Sequence, residues 1–136
     1  MSRSGYHDDL DDDALNLWHG AVTSALRGKR GQAFLRELVA VLDSLPSKRL
    51  IAEELVSATG EVCAMGAVCA ARGLDVTTVD PDDATWVAAM VGLAEAMVRE
   101  IAHLNDECGS RRAEETPEDR WKRMRQWAMS KIREQP

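Results

Sequence analysis

The chain is 136 residues long, 45% hydrophobic and 29% charged, with a formal net charge of −6. That length fits one compact domain and leaves little room for two, and so apolar a chain can bury a core, which excludes wholesale disorder. The acidic balance counts against a protein devoted to holding a nucleic-acid backbone.

Residues 1–12 carry Asp8, Asp9, Asp11 and Asp12 and almost no apolar material. They cannot offset their own ordering entropy unless they dock elsewhere, so the expectation is a mobile acidic arm ahead of a single helical domain, 13–136. The first ten residues show no apolar run before a small-residue cleavage site, so no secretory leader is expected. The composition favours helices: nineteen alanines stand against one Phe and one Tyr, and alanine loses no side-chain entropy in a helix while strands prefer branched and aromatic residues. The expected fold class is all-α, a compact bundle of four to five helices with a minor β element near 48–56 or 75–79.

From Asp13 onward Leu15, Trp18, Val22 and Ala25 recur at helical spacing as far as Gly28, a C-terminal stop. After the basic turn Arg27-Gly28-Lys29-Arg30-Gly31, a second stripe runs through Phe34, Leu38, Val41 or Leu42, and Leu45 to Pro46, which predicts an antiparallel hairpin. Residues 48–56 match a short helix about as well as a strand. Glu61 to Arg72 reads as a compact helix closed by Gly73, with Cys63, Ala67 and Ala71 on a small-residue face that another backbone can approach. That face can seat an intramolecular helix or a second subunit, so a homo-oligomer stays open.

Asp80-Pro81-Asp82-Asp83 predicts a helix start, with Asp80 as N-cap and Pro81 at the first helical position. Stepping at 100° per residue from there gathers Trp86, Val87, Met90, Val91, Leu93, Ala94, Met97, Val98, Ile101 and Leu104 into one apolar arc of roughly 160°. The longest uncharged apolar run, Ala84 to Ala94, is well short of the roughly 18 residues that a bilayer span requires, so no membrane partner is expected. Thr116-Pro117-Glu118-Asp119 predicts a last helix, with Trp121, Met124, Ala128 and Ile132 facing inward.

On that last helix Trp127 falls beside Arg123 and Lys131, with Arg120 nearby. A tryptophan among cations is a candidate contact for a partner protein, and it also suits nucleic-acid stacking. The plainer alternative is a Trp127 packed under a neighbour with the Arg and Lys stems across it. Lys29, Arg30 and Gly31 open the second helix where free N–H groups favour an anion, though they lack the context of a phosphate loop, and a solvated interhelical turn is the plainer reading. The basic segments 27–36 and 120–133 together support an alternative reading as a nucleic-acid-binding accessory.

His103, Asp106, Glu107 and Cys108 close the long helix and could form a metal or acid–base cluster, a third reading as a small metal-dependent enzyme. Cys63, Cys69 and Cys108 are odd in number and lack zinc spacing, which suits three reduced thiols in a cytoplasmic protein. No nucleophile elbow or dinucleotide fingerprint is visible. The expectation is therefore a non-enzyme without a cofactor.

The segment Cys63-Ala64-Met65-Gly66-Ala67-Val68-Cys69 resembles the Cys-x-x-Gly-x-x-Cys stretch of small phage and prophage proteins, and Trp18 through Arg36 and Thr116 through Trp121 resemble the same family. The resemblance covers most of the chain and implies a phage or prophage origin, hence the cytoplasm of an infected bacterial host, without supplying an activity or a catalytic residue. Small phage proteins of no catalytic type often act by binding a host macromolecule, and inhibitors of host defence such as anti-CRISPR proteins are one such class. The expectation from the sequence is a non-catalytic binding protein that acts stoichiometrically on a host or phage protein.

Overall fold

A computed structural model describes Arg3, residues 12–107 and residues 115–133. The described residues form six helices: α1 (Asp12–Arg27), α2 (Lys29–Ser44), α3 (Ala64–Ala71), α4 (Ala84–Val91), α5 (Glu95–Glu107) and α6 (Pro117–Lys131). The fold is all-α. The expected four to five helices are exceeded because the long apolar run after Asp83 is two helices and not one. Gly92 takes a left-handed conformation at φ 74°, which glycine adopts without steric cost, and the N–H groups of Gly92 and Leu93 both return to the Ala88 carbonyl. No strand occurs among the described residues. The β element expected near 48–56 reduces to one isolated antiparallel bridge, Val56 with Val62, and 75–79 contains turns and a bend.

α2 is the central scaffold. It buries Phe34, Leu35, Leu38 and Leu42 and packs on α6 and α3, while α5 receives α1, α3 and α4. α1 and α2 meet at Gly28, and the corner is tight: a Cβ on Gly31 would lie 1.9 Å from the Ala25 carbonyl oxygen, so only glycine allows the first turn of α2 against the last turn of α1. Gln32, buried, locks this corner to the far end of the chain. Its Nε2 donates to the carbonyls of Leu26 and Lys131, and its Oε1 accepts from the Arg133 N–H.

α3 is apolar on nearly all sides and buries Ala64 through Cys69, as a short helix enclosed by the others must. Cys63 is its N-cap and not part of its body, with Sγ accepting from the Gly66 N–H at 3.3 Å. A Cβ on Gly66 would come within 1.9 Å of the Leu55 carbonyl oxygen. The small-residue face therefore seats the irregular segment 50–62 of the same chain. That segment is tied down by Leu50 N–H to the Pro117 carbonyl, Ile51 N–H to Val62 and Cys63 N–H to Leu55. α6 begins as its sequence predicts, with the Thr116 hydroxyl accepting from the Asp119 N–H. It buries Met124 and Ala128, and the Trp121 indole N–H donates to the Leu42 carbonyl near the end of α2.

Two polar nodes replace apolar packing at the end of α5. Asn105 is almost fully buried; its Oδ1 accepts from the Ala64 N–H and its Nδ2 donates to the Ile51 carbonyl and to Asp106. Asp106 forms a fork with Arg3, whose Nε and terminal nitrogen donate to the two carboxylate oxygens at 2.7 Å each. The two side chains are 4% and 5% exposed. Asp106 also accepts from the Glu53 N–H, where Glu53 has φ 68°, and Arg3 reaches Cys63 Sγ. Of the arm expected at 1–12, Arg3 is thus docked into the domain, and residues 1, 2 and 4–11 lie outside the described residues.

Candidate functional site

The loop between α3 and α4 and the exposed side of α4 enclose a surface concavity of about 430 Å³ lined by Asp75, Thr78, Val79, Asp80, Asp83, Trp86 and Met90. Local chemistry fixes its shape. The Asp75 carboxylate accepts from the Thr77 N–H and hydroxyl, which holds it below the usual carboxylate range. Asp80 accepts from the Asp82 N–H. Asp83 is the N-cap of α4, accepting from the Trp86 N–H at 3.0 Å. Val76 is buried and anchors the loop from beneath, while Ala84, Val87, Ala88 and Val91 bind α4 to the core. Trp86 is left facing outward, with the half-buried Met90 one helical turn along packed against the core beneath.

Trp86 is 58% exposed, whereas Trp18, Trp121 and Trp127 are half-buried. This corrects the expectation that Trp86 belongs to one inward arc with Leu93 and Met97. The helix stops at Gly92, so α4 and α5 have independent phases and no single 100° stepping spans both. It also corrects the cap: Asp83, three residues beyond Asp80, opens the helix. Between Arg72 and Arg99 the sequence holds Asp75, Asp80, Asp82, Asp83 and Glu95 and no cation. Arg72 itself is forked onto Glu37 and bonded to the Val91 carbonyl. No ion pair engages Asp75, Asp80, Asp82 or Asp83 among the described residues. The concavity is therefore an apolar floor with an acidic rim that no cation among the described residues neutralises.

The basic face expected on α6 is arranged differently from a free cationic surface. Arg120 is buried, not superficial: it donates to the carbonyls of Asn105 and Leu50 and pairs with Glu115. Arg123 forks onto Glu115 and donates to the Leu104 and Asn105 carbonyls. The two guanidinium groups thus satisfy carbonyls near the end of α5, groups that a helix terminus leaves without intrahelical partners. The Glu115 carboxyl is held below its ordinary range, chiefly by the hydrogen bond from Arg123. Trp127 packs against the core as a half-buried side chain, and Lys131 is exposed. Arg125 pairs with Asp43.

At the α1–α2 corner Lys29 and Arg30 are exposed beside a second concavity of about 260 Å³, with Leu93, Ala94 and Met97 opposite. Gly31 is buried against the α1 backbone, and that packing alone accounts for glycine at this position. The cluster at the end of α5 is divided by its partners. His103 Nδ1 lies 3.1 Å from Glu107, Asp106 is engaged by Arg3, and Cys108 lies outside the described residues. Among the described residues no group of three or more His, Cys, Asp or Glu is placed to hold a metal ion, and Cys63 and Cys69 are free and buried. Burial pushes the Cys69 thiol up to about 11. No helix of the described residues is long and apolar enough to cross a membrane.

Trp86 was missed as a site residue, although its signal is in the sequence: an Asp-rich helix start without a nearby cation, followed by a tryptophan and a glycine that ends the helix early. No family model, no curated protein and no solved structure matches the chain.

Proposed function

We propose that this chain is a non-catalytic binding protein of phage or prophage origin, acting stoichiometrically on a host or phage protein through the concavity around Trp86. Inhibition of a host defence system is one role of this kind. The observation that carries the reading is Trp86 itself. A large aromatic ring, more than half exposed, stands beside Met90 and Val79 in a shaped depression, and tryptophan is among the residues most enriched at the energetic centres of interfaces. The reading moves the contact surface from α6 to α4, because Arg120 and Arg123 are occupied within the fold.

The test is capture from host extract, treated with nuclease, by tagged wild-type chain and by Trp86→Ala. A protein retained by the wild type and lost with Trp86→Ala supports the reading. Equal retention by both removes Trp86 from the contact surface, and recovery abolished by nuclease favours the nucleic-acid reading of segments 27–36 and 120–133.

A further inference from the structure

We infer that the concavity around Trp86 takes an arginine-bearing peptide segment of its partner; the inference rests on the binding reading above and names the chemistry of the occupant. Three features select it. The lining combines one indole with three carboxylates and no cation, and the adjoining Asp82 adds a fourth exposed carboxylate. The loop and cap hydrogen bonds of Asp75, Asp80 and Asp83 come from neighbouring backbone or hydroxyl groups, so no charge in the described residues neutralises them. Val79 and Met90 supply an apolar floor along which an aliphatic stem can lie.

A guanidinium matches this set better than an ammonium. It is planar, stacks on an indole face, presents forked donors to carboxylates and is more weakly hydrated, while its three-carbon stem covers apolar surface. An acidic segment would meet like charge at Asp75, Asp80 and Asp83, and a purely apolar one would desolvate the carboxylates without replacing their hydrogen bonds. Exposed cations of a second copy, Lys29 and Arg30 among them, are the competing occupant.

The probe is a fluorescein-labelled, acetylated and amidated tetra-arginine peptide, measured by anisotropy against the full chain at about 150 mM salt, where long-range attraction is screened. The expected result is saturable one-to-one binding, weakened about tenfold in Trp86→Ala and in the combined variant Asp75→Asn, Asp80→Asn, Asp83→Asn. The Asn side chains keep the turn and cap acceptors while removing charge, so that variant tests the rim without dismantling α4. Glu54→Gln, an exposed carboxylate elsewhere, should bind as the wild type does, and circular dichroism of each variant checks its fold. Absence of saturable binding, or equal binding by all variants, overturns the inference. Sedimentation showing a wild-type oligomer that Trp86→Ala dissolves also overturns it and assigns the face to a second copy. If a captured protein depends on Trp86 but tetra-arginine does not displace it, the occupant is wrong and the binding reading stands. If tetra-arginine binds at Trp86 while no protein depends on that residue, the occupant's chemistry stands and the protein-binding reading falls.

Discussion

Replacing Asp106 with Asn removes the charge from the most deeply buried ion pair among the described residues while keeping the size of the side chain and one acceptor oxygen for the Glu53 N–H. What remains is Arg3, 4% exposed as a side chain, with one of its two carboxylate bonds weakened and the other lost, because an amide nitrogen cannot accept from a guanidinium. Removing one member of a buried pair typically costs 3–5 kcal/mol, mostly because the other charge is left behind. Asn retains part of the hydrogen bonding, which places Asp106→Asn near the lower end, about 3 kcal/mol. For a chain of this size that is roughly 10–15 °C in Tm, readable by circular dichroism at pH 7. The double variant Arg3→Met, Asp106→Asn leaves neither charge and should be less destabilised than the sum of the single variants by about 2 kcal/mol. A Tm unchanged within 2–3 °C for Asp106→Asn, or strict additivity in the cycle, would refute the claim that this pair fastens residue 3 to the domain.

Three further outcomes follow from the same contacts. Burial raises the Asp106 carboxyl, but hydrogen bonds from Arg3, Glu53 and Asn105 and the Arg3 charge outweigh it and hold the group below its ordinary value; Glu37 beside Arg72 and Glu115 beside Arg123 are lowered likewise. Groups lowered on folding stabilise the protein above the ordinary carboxylate range and lose that contribution as pH falls through their folded pKa, so Tm should drop below about pH 4. The drop should be shallower in a variant carrying Asp106→Asn and Glu115→Gln, and an identical acid limb would sink the assignment. Gly66→Ala forces a methyl into the Leu55 carbonyl oxygen and should cost about 3 kcal/mol in urea unfolding; a neutral result would mean that segment 50–62 can move aside. Arg120→Met leaves the Leu50 carbonyl without its side-chain donor and the Asn105 carbonyl with Arg123 alone and should cost about 2 kcal/mol, checked by the same titration.

Much of the helical framework was legible because it is written locally. The α2 stripe of Phe34, Leu38 and Leu42, the Thr116 cap and the glycine stop after α3 depend on residues within a turn of one another. The failures have longer reach. Gly92 lies inside the uninterrupted apolar run 84–94, where periodicity gives no sign of a break, and crossing it assigned Trp86 to the wrong face. Cys63 reads as a helix residue until its Sγ is seen accepting from Gly66. Arg120 and Arg123 look like a solvated cationic face because the carbonyls that take them up belong to α5 and to the segment at Leu50. Arg3 and Asp106 are 103 positions apart, and no local pattern couples them.

The most direct test of the account compares two surfaces in one capture experiment from nuclease-treated host extract. Trp86→Ala alters the acidic concavity on α4, and the pair Trp127→Phe, Lys131→Ala alters the face of α6 that the sequence first suggested. The account predicts that the partner is lost with Trp86→Ala and retained by the α6 variant. Retention by Trp86→Ala together with loss from the α6 variant would contradict it.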